Sequence, residues 1–298
     1  MESKIHSIEH SFFEIKKVIS GLVARYPFLR VENVGKSVAG REIPALMVGS
    51  GAEYTLFVSG DDPACRITSL ILLCFAEELC DKILNGKELC GINIRKAMFG
   101  RGVIFMPLLN PDGYEINSRG ESGGGYLGAK LSRMCGGDFS KWRANLRGVE
   151  IAKNLPFEFE KRKQEERALH ICGPNFKGFS GYKAESEPET LALTEVCRSY
   201  KIRQLISLSA FGQTISYSGV PFVPAHSVKM TEVMAAVSSF KIEPPKAKNK
   251  IEINDWFTYE LNRPGLSVKI GNNEIPSVSE LHYWYCRIRE LLTLACLF

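Results

Sequence analysis

The 298-residue chain carries 38 Lys and Arg against 33 Asp and Glu, a formal net charge of +5, and is 45% hydrophobic and 24% charged. That length holds one large α/β domain or two small ones with a substantial core, and the composition is that of an ordinary globular protein rather than a disordered one. The basic excess is mild and dispersed, so it gives no ground for a nucleic-acid partner.

Apolar periodicity predicts a first helix from Ser7 to Tyr26, with Phe12, Ile15, Val18, Ile19 and Leu22 on one face. "GREIPALMVG" after "GKSVAG" reads as the second arm of a hairpin, and "YTLFVSG" as another strand. Thr68 to Leu84 is a strongly apolar helix ended by "NGKE". "GVIFMPLLNPDG" is a buried strand running into a turn. The glycine-rich stretch from Ser118 to Asp138 is expected to be a long loop. "FEKRKQEER" at Phe159 to Arg167 mixes both signs and reads as an exposed loop or helix face.

"SEPETLALTEVCRSY" opens with a start signal and continues as a helix. "IRQLISLSAFG" is a buried strand, Met230 to Phe240 and the segment around "NDWFTYELN" are helical, "LSVKIG" is a short strand, and Ser277 opens a closing helix. Continuous apolar strands alternating with helices predict a mostly parallel sheet with helices on both faces, in one domain over 1–298.

Nine cysteines stand singly at 65, 74, 80, 90, 135, 172, 197, 286 and 296, with no CxxC pair. They fit reduced thiols in a cytoplasmic protein better than a disulfide framework. The polar "MESKIHSIEH" has no apolar leader core. Arg287, Arg289 and Glu290 interrupt the hydrophobic C-terminal stretch, so no membrane insertion is expected. "GKS" at Gly35 to Ser37 is no phosphate loop, because Arg30 stands where the leading glycine belongs. "GESGGG" has no strand before it, which argues against a dinucleotide loop. The five histidines, at 6, 10, 170, 226 and 282, form no HxxxH or HxxE pair.

Five stretches carry a specific signal together: "YPFLRVENVGKSVAGREIPALMVGSG", "PLLNPDGYE", "WRANLRGVEIAKNLP", "GYKAESEPETLAL … ISLSAFGQTISY" and "NDWFTYELNRPGLSVKIG". In this order, over about Tyr26 to Ile275, they resemble the zinc carboxypeptidase family, closest to its bacterial branch acting on γ-D-glutamyl-diaminopimelate bonds. The resemblance implies a single-domain three-layer sandwich: a mixed, mainly parallel eight-stranded sheet with helices on both faces. It also implies one zinc held by two His and a Glu with an open water position, and a Glu general base.

Residue by residue, that machinery is replaced. Asp62 stands at the first His position and Cys65 at the Glu of the HxxE motif, with Asp61 the neighbouring alternative to Asp62. Ser209 stands at the second His and Lys269 at the general base. A serine hydroxyl is a poor zinc ligand near neutral pH. An ammonium about 4 Å from a dication is repelled by about 8 kcal/mol at an effective dielectric near 20. Lys269 is therefore expected to occupy the vacated site and pair with Asp62. Cys65 lies near a helix N-terminus, where the dipole lowers a thiol pKa, but no histidine aligns beside it as a base.

The family's recognition residues map onto Arg143 at the oxyanion position, Lys153 at the carboxylate-gripping pair (Ala152–Lys153), and Tyr217 at a substrate contact. Glu150 keeps the acid that orients a zinc His, and Asn110, Asp112 and Gly113 keep the "NPDG" turn. The chain is thus expected to be an inactive, metal-free relative that binds a peptide in the old cleft and needs no cofactor. Its rivals are an active zinc peptidase with an altered site and a structural or partner-binding protein using its outer surface.

Overall fold

Ser11 accepts the Glu14 N–H at 3.3 Å and starts helix α1 (Phe12–Arg25), which buries Ile15, Ile19 and Leu22. The structure is a computed structural model that describes residues 5, 11–49, 51–245, 252–272 and 274–298. The expected opening helix is observed over Phe12–Arg25 with Ser11 as its cap, and Ser7 to His10 lie outside the described residues.

Strands β1 (Arg30–Lys36) and β2 (Glu42–Val48) form the expected antiparallel hairpin, followed by β3 (Glu53–Val58). A 3₁₀ turn over Pro63–Cys65 leads into α2 (Arg66–Asn85), which Gly86 ends in the left-handed conformation that suits glycine. A small hairpin of β4 (Glu88–Leu89) and β5 (Ile92–Asn93) and the one-turn α3 (Ile94–Ala97) precede β6 (Arg101–Met106).

Two expectations need correction here. "NPDG" is a helix start rather than a turn: Asn110 accepts the Gly113 N–H at 2.9 Å, Pro111 occupies the first position, and α4 runs over Pro111–Arg119. The segment expected to be a long loop folds as a 3₁₀ stretch (Gly120–Leu127) and α5 (Gly128–Cys135). Gly123 serves close packing there, since a Cβ on it would lie 2.1 Å from the Glu115 carbonyl oxygen.

Then come α6 (Phe159–Ala168), α7 (Pro188–Ser199), β7 (Ile202–Ala210), β8 (Thr214–Tyr217), α8 (Ser227–Ser238), β9 (Lys241–Glu243), α9 (Ile253–Leu261), β10 (Gly265–Ile270) and α10 (Leu281–Ala295). The charge-rich α6 is a helix, yet Arg162 and Glu166 are buried rather than exposed.

The main sheet has eight strands in the order β1-β2-β6-β3-β7-β10-β8-β9, with the central β6, β3, β7 and β10 mutually parallel. Side chains alternate across it. Phe57, Phe105, Leu208 and Val268 pack with α1, α2, α8 and α10 on one face, while Leu56, Val58, Ile104 and Leu205 pack with α7 and α9 on the other. Helices on both faces favour apolar side chains on both sides of the central strands. The parallel strands deliver their C-terminal ends to one edge, where open α/β sheets place their sites. Among the described residues, no helix is long and apolar enough to cross a membrane.

Candidate functional site

The site grows from the end of β3. Gly60 and Ser59 extend the β3–β6 pairing, with Ser59 O accepting from Leu109 N at 3.1 Å and Gly60 O from Asn110 N at 2.8 Å. The chain then turns through Asp61 and Asp62. Asp62 caps the 3₁₀ turn, its Oδ1 accepting the Ala64 N–H at 3.1 Å. Gly113, at the start of α4, lets Pro63 come close: a Cβ there would stand 2.4 Å from Pro63 Cγ and 2.5 Å from Ala144 O.

Arg143 arrives from the opposite loop, held between two anchors. Trp142 is fully buried and donates from Nε1 to Ala144 O at 2.7 Å, and the Arg143 N–H donates to Phe176 O at 2.8 Å. Its guanidinium donates to Asp62 Oδ2 from Nε at 2.7 Å and also from Nη2. The Cys65 thiol donates to the same oxygen at 3.5 Å. Burial, then the Asp62 charge, pushes the Cys65 thiol well above its ordinary range, opposing the lowering expected from the helix terminus. Burial, then Asp62, likewise pushes the Asp61 carboxyl up to about 7. The backbone of Ala210, at the end of β7, also acts on the Cys65 thiol and lowers its pKa slightly against the burial.

The structure overturns the expected Lys269–Asp62 pair. Lys269 is level with Ser209 on the adjacent strand β10, but its Nζ lies 2.8 Å from Glu252 Oε1 and 3.3 Å from Glu243 Oε2. The reason is competition: Asp62 is already bonded to a guanidinium fixed by buried backbone, while two carboxylates stand at the far side of Lys269. Burial lowers the Lys269 pKa, but Glu252 and then Glu243 outweigh it and leave the value raised, so the ammonium is kept. Tyr217, Lys269, Glu243, Glu252 and Asp255 line one small pocket. Tyr217 is thus grouped with Lys269 and not with the Arg143–Asp62 cluster.

Lys153 pairs with Glu150 at 3.4 Å, and Glu150 Oε2 also accepts the Gly178 N–H at 3.0 Å. Glu150, the acid that the resemblance assigns to orienting a zinc His, thus holds a lysine. Sequence reasoning passed over Glu243 and Glu252, which sit in a charge-rich stretch with no motif. Only the sign of Lys269 and its need for a counter-charge could have pointed to them.

The matching family model is the zinc carboxypeptidase one, over residues 15–222. The chain belongs to the zinc carboxypeptidase family. Gamma-D-glutamyl-L-diamino acid endopeptidase 1 of Lysinibacillus sphaericus is 25% identical over 261 residues, covering 87% of this chain and 64% of its own length. The chain thus spans just under two thirds of that relative. Inactive metallocarboxypeptidase ECM14 of Paracoccidioides lutzii is 23% identical over 309 residues, covering 86% of this chain and 48% of its own. Bovine thrombin-activatable fibrinolysis inhibitor, solved with tick carboxypeptidase inhibitor, superposes with a TM-score of 0.72 at 16% identity, over 99% of this chain and 97% of that one. This likeness shows the shared fold.

The family's zinc does not fit the chemistry of Asp62, Cys65 and Ser209, the residues that the resemblance assigns to its ligand positions. Asp62 is engaged on both oxygens, one of them by a cation. The Cys65 thiol donates to Asp62 Oδ2 at 3.5 Å, and Ser209 offers a neutral hydroxyl. A dication between them would sit against the Arg143 guanidinium. Among the described residues, no three His, Cys, Asp or Glu side chains form a group that could hold a metal ion.

Proposed function

We propose that this family member is metal-free and non-hydrolytic, and that it holds a peptide in the cleft at the C-terminal ends of β3, β7 and β10. The observation that carries the reading is the Arg143–Asp62 ion pair, a protein cation bonded to the carboxylate at the first ligand position. Peptide-bond hydrolysis in this family needs a metal to polarise the carbonyl and acidify water. At the general-base position a charged Lys269 has no lone pair to accept the proton. The inactive relative from Paracoccidioides lutzii supports the idea that this fold persists without turnover. The bacterial endopeptidase supports a cell-wall γ-D-glutamyl-diamino acid peptide as the first ligand to try. Arg143, Lys153 and Tyr217 are the proposed contacts. Nine free thiols support a reducing, cytoplasmic setting.

Incubation with a γ-D-glutamyl-diaminopimelate peptide, with and without added zinc, followed by product analysis tests the first half. No product above the protein-free control is expected, and turnover dependent on Asp62 or Cys65 contradicts it. Calorimetry with the same peptide tests the second. Binding weakened by Tyr217→Ala is expected, and the absence of binding favours a structural or partner-binding role on the outer surface.

A further inference from the structure

The outer face of α10 carries a pair that the cleft does not use. His282 and Cys286 stand four residues apart, the spacing that stacks two side chains on one helix face, and Cys286 Sγ lies 3.6 Å from His282 Nε2. Both residues are exposed, while Leu281, Trp284, Tyr285 and Ile288 bury the opposite side of the helix in the core. The partner atom sets this thiol apart from the others. Burial pushes the thiols of Cys74, Cys80 and Cys296 up to about 12, out of reach of both solvent and ionisation. Cys172 is exposed like Cys286, but its thiol donates to the His170 carbonyl oxygen at 3.7 Å. An amide carbonyl does not take up a proton near neutral pH, and an imidazole nitrogen does.

We propose that Cys286 is a modification site, at which His282 serves as the base for thiol–disulfide exchange with a low-molecular-weight disulfide of the glutathione type. With the imidazole proton on Nδ1, Nε2 keeps its lone pair for the thiol. The Cys286 proton passes to Nε2 as Sγ attacks one sulfur of the disulfide. The S–S bond of the disulfide breaks, a new S–S bond forms to Cys286, and the departing thiolate takes the proton back from the imidazolium. One mixed disulfide and one free thiol result, so the disulfide alone is the oxidant and is itself half reduced. Because the reverse reaction needs only the free thiol, occupancy of Cys286 follows the ratio of disulfide to thiol around the protein. Neither residue belongs to the cleft, so the site is independent of peptide binding there.

Excess glutathione disulfide added to the full chain, with acid quenching, digestion and mass spectrometry, reads the modification rate at each cysteine. Cys286 should react about tenfold or more faster than Cys172, a modest part of what a positioned base supplies in enzymes. Dithiothreitol should remove the adduct. His282→Gln keeps a hydrogen-bonding side chain on the exposed helix face but cannot take up the proton. It should bring Cys286 to within about twofold of Cys172, the level of two ordinary exposed thiols. The Cys172 rate, read in the same molecules, should not move, and labelling of buried Cys74 or Cys197 would reveal a misfolded variant. In that event His282→Asn replaces it. Equal rates at Cys286 and Cys172 in the wild-type protein overturn the proposal, and so does a preference for Cys286 that survives loss of the imidazole.

Discussion

At Asp62 one half-buried carboxylate closes a 3₁₀ turn, accepts a thiol and neutralises a guanidinium. Deleting Arg143 leaves that charge with only neutral donors, and deleting Asp62 leaves Arg143 without its hydrogen-bonded carboxylate, with the more distant Glu150 and Asp61 acting on it. Because Arg143 is 36% exposed, solvent screens much of the attraction. A double-mutant cycle of Arg143→Ala and Asp62→Ala, read from urea unfolding midpoints, should give a coupling of about 1–2 kcal/mol, between exposed and buried pairs. A coupling near zero would mean the two side chains do not hold each other. The flanking motifs point in the sequence to Asp62, Cys65, Ser209 and Lys269, and the structure places Asp62 and Cys65 in one hydrogen-bonded cluster and Lys269 level with Ser209 on the adjacent strand. The motifs did not identify which cation reaches Asp62, because Arg143 and Lys269 are both in the frame and only the anchoring of Trp142 and the reach to Glu252 separate them.

Elements carry their own electrostatics. Helix α7 begins with Glu187, Pro188 and Glu189, a start signal plain in the sequence. Both acids are buried, and Asn145 Nδ2 donates to Glu187 at 2.8 Å and to Glu189 at 3.1 Å. The Val38 N–H also donates to Glu189, at 3.3 Å, while the Asp112 charge repels it. Burial dominates and pushes the Glu189 carboxyl up from 4.5 to about 7. A raised folded-state value means that the folded protein binds the proton more tightly than the unfolded chain. The stabilisation is full below about 4.5 and is lost as pH rises through about 7. Glu189→Gln should flatten that part of the stability–pH curve, measured by urea unfolding between pH 4.5 and 8; an unchanged slope would assign the dependence to another group.

Helix α6 shows what charge pattern hides. Its helical form fits a mixed-sign run, but Arg162 turns inward to donate to Lys153 O at 2.6 Å and Leu155 O at 2.9 Å. Which charged face a neighbouring loop covers is decided by tertiary packing, and periodicity carries no record of it. The glycines before α5 misled in the opposite direction. They read as freedom, yet Gly123 is a tight contact with the backbone of α4.

Over the whole molecule, a sheet with parallel central strands positions loop residues far apart in sequence at one edge, and such a frame can carry different chemistries. Its parallel centre and two-sided packing were legible in the continuous apolar runs, while the eight-stranded mixed sheet came from the family resemblance and the strand order from the structure alone. Ligand chemistry was less legible, because it depends on pairings between loops. A metal that bound only the folded chain would raise its stability with ion concentration. Zinc titration of the purified chain, followed by thermal unfolding and metal analysis, therefore tests the central claim most directly. The expected result is an unchanged unfolding midpoint, an unchanged midpoint on chelation, and no bound equivalent. Near one equivalent of zinc, with a midpoint that climbs with its concentration and falls back in Asp62→Asn, would contradict it.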